Sequence, residues 1–247
     1  MKQNYYGSLC TEMYELLHEK APADELAFYL SYAQPEMKIL EPLCGSGRFL
    51  VPFMEHGFDI QGIDLSEEML AKLRLKRADA NVIHADLIGY ETQERFDLIF
   101  ISSGSVSLFT DLEVCDRILA KLKELLTENG KLVFAVDTIA NRCPDDTEYQ
   151  LSITMKTHEG MDLILKTKNA YDEATQTQYS PGIYELYDKG VLIGQEPMDF
   201  QTHLYTFNEM EARLKKIGFS KVITYSSFEK EIAVDDHCEA FLFECSL

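Results

Sequence analysis

The stretch K-I-L-E-P-L-C-G-S-G-R-F-L-V-P-F-M-E-H-G-F-D-I-Q-G-I-D runs from Lys38 to Asp64. It opens with a short apolar run that ends in an acid, Glu41. A glycine-bearing turn, Cys44-Gly45-Ser46-Gly47, then leads into a helix-like segment from Arg48 to His56. Gly57 stops that segment, and a second apolar run, Phe58 to Ile63, ends in another acid, Asp64. The pattern predicts strand, tight turn, helix, strand. Parallel neighbouring strands would hold both carboxylates over one crevice at their carboxyl ends, where open α/β sheets bind ligands.

Gly45 and Gly47 remove Cβ atoms where backbone must approach a neighbour or take positive φ. Glycine turns also merely connect a strand to a helix, so the acids carry more of the argument. Asp64 follows Gly45 by 19 residues, close to the ~20-residue offset at which a carboxylate takes the ribose hydroxyls of an adenosine. The third small residue of a dinucleotide fingerprint is missing, since Leu50 stands there, and no G-K-[ST] follows. The pattern suits an adenosine ligand without a pyrophosphate.

In these residues the chain resembles the class I S-adenosylmethionine-dependent methyltransferases. I-L-E-P-L-C-G-S-G-R-F is similar to that family's first motif. I-D at 63–64, A-D at 85–86, F-D-L-I-F at 96–100 and N-G-K-L-V-F at 129–134 follow in its order, covering about residues 36 to 140. The family usually has glycine where this chain has Leu43. The resemblance implies an α/β fold: a Rossmann-like, seven-stranded, mostly parallel sheet flanked by helices. The cofactor it implies is S-adenosyl-L-methionine, leaving as S-adenosyl-L-homocysteine. Glu41 would hold the charged amino-acid end of that cofactor, with Leu43, Cys44, Gly45 and Gly47 forming the turn beside it. Asp64, Leu65 and Met69 would take the ribose side, Asp86 and Leu87 the adenine, and Ser102 the edge nearest the substrate.

Composition narrows the partners. A net charge of −19 over 247 residues with 46% hydrophobic content describes an acidic chain with ample core. A phosphate-tracking surface needs Lys and Arg clusters. The one basic group, Lys72, Arg74, Lys76 and Arg77, reads as a solvated helix face. No [DN]-P-P-[YF] follows the strand at 96–102, a second argument against nucleic acid. Six cysteines lack C-x-x-C or metal-ligand spacing, and no signal segment or long apolar span is visible, so a cytoplasmic location and no membrane partner are expected.

Around the central stretch, residues 8 to 33 read as two helical pieces behind an aromatic pair, Tyr5 and Tyr6. Ser66 caps a helix over 67–77, and Ala80 to His84 is a strand. Phe96 to Ser102 is a buried strand, Asp111 caps a helix reaching about Thr127, and Lys131 to Asp137 is a fifth strand. From Tyr149 to Thr206 the period changes to two, with turn signals at 158–160, 172–173 and 188–190, which predicts an inserted antiparallel β meander. A helix over 207–217 and two closing strands complete the chain. The expected division is an N-terminal helical lid over 1–35, a core over 36–147 and 207–247, and an insertion over 148–206. That insertion serves either as a lid or as a dimerisation sheet, and a homodimer is accordingly one expected partner.

The implied chemistry is in-line displacement of an activated methyl onto a nitrogen, oxygen or carboxyl group of a small molecule. Positioning can supply ~7–11 kcal/mol of such a barrier, against the ~10²–10⁴-fold from a general base, so no obvious base is demanded. Tyr6, His203 and Tyr205 are the candidates if one is used, and no metal is expected. Two other readings stand beside this one: a nicotinamide- or flavin-dependent oxidoreductase, disfavoured by Leu50, and a non-catalytic S-adenosylmethionine-binding module.

Overall fold

A computed structural model describes residues 4–247; Met1 to Gln3 of the expected N-terminal segment lie outside them. Helices α1 (Ser8–Leu17) and α2 (Ala23–Leu30) precede strand β1 (Lys38–Pro42). Helix α3 (Leu50–Glu55) leads to β2 (Asp59–Asp64), and α4 (Glu67–Lys76) to β3 (Asn81–His84). Then come β4 (Phe96–Ile101), α5 (Leu112–Glu124) and β5 (Leu126–Asp137). The insertion contributes β6 (Gln150–Lys156), β7 (Asp162–Thr167), β8 (Ala170–Asp172), β9 (Thr177–Tyr179), β10 (Gly182–Asp188), β11 (Val191–Met198) and β12 (Gln201–His203). Helix α6 (Glu209–Ile217), β13 (Lys221–Tyr225) and β14 (Ala240–Ser246) close the chain.

The main sheet has the order β13-β14-β5-β4-β1-β2-β3, and only β14 runs against the rest. The expected seven-stranded, mostly parallel, Rossmann-like sheet is therefore present. Its order reverses between β1 and β4, the switch point at which such sheets open a crevice beyond their carboxyl ends. Alternation along β4 explains the burial on both faces. Ile99 and Ile101 face α5 and α6 through Ile118, Leu122 and Leu214, while Leu98 and Phe100 face α2, α3 and α4 through Phe28, Phe53 and Leu70.

One boundary differs from expectation. Helix α5 ends at Glu124, and β5 starts at Leu126 because Phe96 N–H donates to the Leu125 carbonyl at 2.9 Å, drawing the chain into the sheet early. The expected inserted antiparallel meander is present, with one hairpin displaced from it. Strands β11-β10-β7-β6 form one sheet, and the β8–β9 hairpin leaves it to pair with β12 in another.

Helix α1 packs on the inserted sheet, through Cys10 and Met13 against Leu163, Tyr184 and Met198. Its N-cap residue, Gly7, has no capping side chain. Glu196 of β11 substitutes, accepting from Leu9 N–H and Cys10 N–H at 3.1 Å each. A Cβ on Gly7 would fall 2.6 Å from that carboxylate, which explains the glycine. Replacing a cap costs ~0.5–2 kcal/mol, and Glu196→Gln should lower stability by about 1 kcal/mol. Amide exchange at Leu9 and Cys10 should accelerate with it; unchanged exchange there would show that the carboxylate does not hold the helix.

Candidate functional site

The crevice beyond β1, β2, β4 and β5 is closed over by α1 and by strands of the inserted segment, leaving a cavity of about 1070 Å³. That is at the upper end of the ~300–1,000 Å³ usual for ligand sites, with room for two small molecules.

One wall is the turn after β1. Leu43 has φ 58°, and Gly45 and Gly47 have φ 53° and 82°. The left-handed conformation that glycine would take freely at residue 43 is thus held by a leucine, at a cost of ~1–2 kcal/mol. Packing of the Leu43 side chain on the core beside the cavity offsets that cost. At Gly47 a Cβ would stand 2.7 Å from Leu73 of α4, so the glycine lets turn and helix close on each other. Gly47 shapes the turn without lining the cavity, which Leu43, Cys44 and Gly45 do line.

Asp64, at the end of β2, ties this turn to its own. Its Oδ2 accepts from Gly45 N–H and its Oδ1 from Ser66 N–H, each at 2.8 Å. Ser66 in turn caps α4 by accepting from Met69 N–H at 3.2 Å. These backbone donors do not use up the roughly four acceptor positions of the carboxylate, which leaves lone-pair capacity for a hydroxyl. Burial raises its pKa, opposed by the backbone donors of Ser66, Gly45 and Leu65. Leu65 and Met69 line the cavity beside it.

Glu41 and Arg48 are the charged pair of the cavity beside this turn. Glu41 is 1% exposed; Ser102 Oγ donates to its Oε1 at 3.3 Å, while Oε2 meets no donor among the described residues. Burial pushes its pKa well above the carboxylate range, against the Ser102 hydroxyl and the Arg48 charge. Arg48 lies over the rings of Tyr14 and Phe49 and donates to Ser103 Oγ, but its buried Nε finds no acceptor among the described residues. Unpartnered buried polar atoms are costly and mark the place of something else. An orphaned acid and an orphaned cationic donor in one cavity match a zwitterion, the charge pattern of the methionine end of S-adenosylmethionine. The residues present fit that group.

Other expected site residues lie elsewhere. Asp86 is exposed in the loop after the edge strand β3, its Oδ1 accepting from Ile88 N–H at 3.0 Å, and it does not line the cavity. Leu87 packs into the core beside Tyr90 instead of offering a free face. His203 and Tyr205 are also outside the cavity. His203 is 1% exposed, its Nδ1 facing the Thr175 carbonyl at 3.0 Å and its Nε2 the Glu209 carboxylate at 2.8 Å. Tyr205 is wholly buried against Cys115, and burial raises its pKa far above the usual value. Tyr6 does line the cavity, 6.0 Å edge-on to Tyr14, and burial raises its pKa as well.

Several residues were not anticipated. Arg48 follows the glycine turn directly, a position the sequence marks plainly. Glu25 of α2 accepts from Ser103 N–H at 2.6 Å and so holds the left-handed pair Ser103-Gly104 at the cavity edge. Asp137 ends β5 inside the cavity, and its signal was the one used for Glu41 and Asp64: an apolar strand ending in an acid. Among the described residues no group of His, Cys, Asp and Glu is arranged to hold a metal. No helix among them is long and apolar enough to cross a membrane.

Comparison with known proteins agrees with this architecture. Residues 39–130 match the family model described as a methyltransferase domain. The putative methyltransferase YqeM of Bacillus subtilis is 32% identical over 146 residues, covering 55% of this chain and 58% of its own. The chain thus spans little more than half the length of the curated relatives it matches. An S-adenosylmethionine-dependent methyltransferase structure from Clostridium acetobutylicum superposes with TM-score 0.76 at 14% identity, over 95% of this chain and 96% of that one. The sugar N-methyltransferase KedS8 from Streptoalloteichus gives 0.73 at 18% identity, over 100% and 98%. At such identities the structures show a shared fold.

Proposed function

We propose that this chain, whose residues 39–130 match the methyltransferase-domain family model, binds S-adenosylmethionine and methylates a nitrogen, oxygen or carboxyl group of a small molecule. The observation that carries this reading is the pairing of Glu41 and Arg48, opposite in charge and each with an orphaned buried atom, across one cavity from Asp64.

Bound S-adenosylmethionine would supply a sulfonium methyl already activated for displacement. The chain's own residues position and enclose. Arg48 would hold the carboxylate end of the cofactor, Glu41 and Ser102 the ammonium end, and free lone pairs of Asp64 the ribose. Tyr6 and Tyr14 of the N-terminal segment and the inward residues of β6, β7 and β10 exclude water from the remaining space. This supports a lid role for the inserted segment, since Ile153, Leu165 and Tyr184 face the cavity. The alternative role of the insertion, a dimerisation sheet, would draw on the exposed Val191, Leu192 and Ile193 of β11. A small acceptor agrees with the enclosure, and the KedS8 likeness adds amine-bearing sugars to the acceptors worth assaying.

Calorimetry with S-adenosylmethionine, S-adenosylhomocysteine and NAD is the direct test. The first two should bind and NAD should not; NAD binding in their place would turn the reading to an oxidoreductase. Binding without methyl release across amines, phenols and acids would leave a non-catalytic cofactor-binding module.

A further inference from the structure

Asp137 is a carboxylate that nothing in the cofactor site uses. It ends β5 and lines the cavity. Its backbone is fixed at both ends, its N–H donating to Ser107 Oγ at 2.8 Å and its carbonyl accepting from Tyr205 N–H at 2.9 Å. Its side chain has neither hydrogen-bond donor nor ion-pair partner among the described residues, although it is half-buried. The other charged groups of the cavity do not answer it. Arg48 is committed to Ser103 and two rings, Asp111 caps α5, Glu41 takes the Ser102 hydroxyl and Asp64 the two backbone turns. His18, the remaining basic group, has its pKa lowered by burial and by Arg48.

We propose that Asp137 is a catalytic residue on the acceptor side, which binds the cationic nitrogen of a small amine and holds the proton that nitrogen must give up. The methylated atom is then nitrogen. This rests on the methyltransferase reading above and narrows it. A half-buried, unpaired carboxylate recovers most from a cation, through a charge-assisted hydrogen bond. A carboxylate acceptor is repelled by Asp137 and by the acids around it. An alcohol neither neutralises the charge nor yields its proton to so weak a base. In the proton step, one N–H bond of R–NH₃⁺ breaks and its proton joins Asp137 Oδ. The electron pair stays on nitrogen, so R–NH₂ and a neutral carboxylic acid result, and the acid returns its proton to water afterwards. Burial pushes the Asp137 pKa up to about 6, so the group is ionised at neutral pH yet not far below an α-amino ammonium at about 8.

The test pairs isosteric fragments by ligand-observed NMR at pH 7.5 with S-adenosylhomocysteine present: cyclohexylamine against cyclohexanol, and glucosamine against glucose. The wild type should bind at least one amine about tenfold more tightly than its alcohol, the scale of one charge-assisted bond. Asp137→Asn should bring that pair within about twofold while S-adenosylhomocysteine affinity stays unchanged. Equal or absent binding of both members of each pair by the wild type overturns the proposal, as does a preference that survives in Asp137→Asn. Weakened S-adenosylhomocysteine binding in the variant also overturns it, by placing Asp137 at the cofactor. Failure of the wild type to bind S-adenosylhomocysteine sinks the underlying reading as well, and the two failures are therefore told apart in one experiment.

Discussion

Asp64→Ala should bind S-adenosylhomocysteine about 10- to 150-fold more weakly than the wild type by calorimetry, the equivalent of losing ~1.5–3 kcal/mol. Two losses add. The ribose hydroxyls forfeit a charged acceptor, and Gly45 N–H and Ser66 N–H lose the oxygens that hold the two turns together. Asp64→Asn separates these contributions, because its amide oxygen still accepts from one turn while the charge is gone. Its affinity should lie between the two. An unaltered affinity in Asp64→Ala would remove this residue from the site, and with it the argument from the ~20-residue offset.

The parts of the site legible in the sequence are those set by local geometry. Glu41 and Asp64 end parallel neighbouring strands, so period and strand direction alone carry both to one crevice. The turn between them was legible down to its glycines. Even Leu43, departing from the usual residue, holds the left-handed backbone that position needs. Asp86 shows where the same rule stops. It lies two residues beyond β3, in a loop that turns back through Gly89 N–H to the Asp86 carbonyl at 3.1 Å, and strand direction says nothing about such a loop. The period-two stretch had a similar limit. Alternation gives strands, but not which strands pair, and a hairpin leaving for a second sheet takes its side chains to another place. His203 consequently packs against Glu209 instead of facing the cavity. Contacts such as Glu25 with Ser103 join residues far apart in the chain and left no local signature.

Asp137 was legible by the rule that found Glu41, and the charge it buries has a measurable consequence for stability. Its carboxyl is raised by burial from an ordinary 3.8 to about 6. Below pH 3.8 folded and unfolded chains both carry the proton, and the group costs nothing. Between that value and about 6 the folded chain holds a proton that the unfolded chain has released, so stability falls as pH rises. Above it the whole penalty applies, roughly 3 kcal/mol, because each tenfold change in proton affinity is worth about 1.4 kcal/mol. Asp137→Asn carries no such penalty, though its amide must still be desolvated. The variant should therefore be more stable than the wild type by about 2 kcal/mol in urea unfolding at pH 7.5, and the difference should vanish near pH 4. Equal stability at both pH values would show that the carboxylate is solvated or paired after all. A gain in stability on deleting a charge is the signature of a group retained for what it binds, and a bound amine should reduce the same gap by neutralising Asp137 in the wild type.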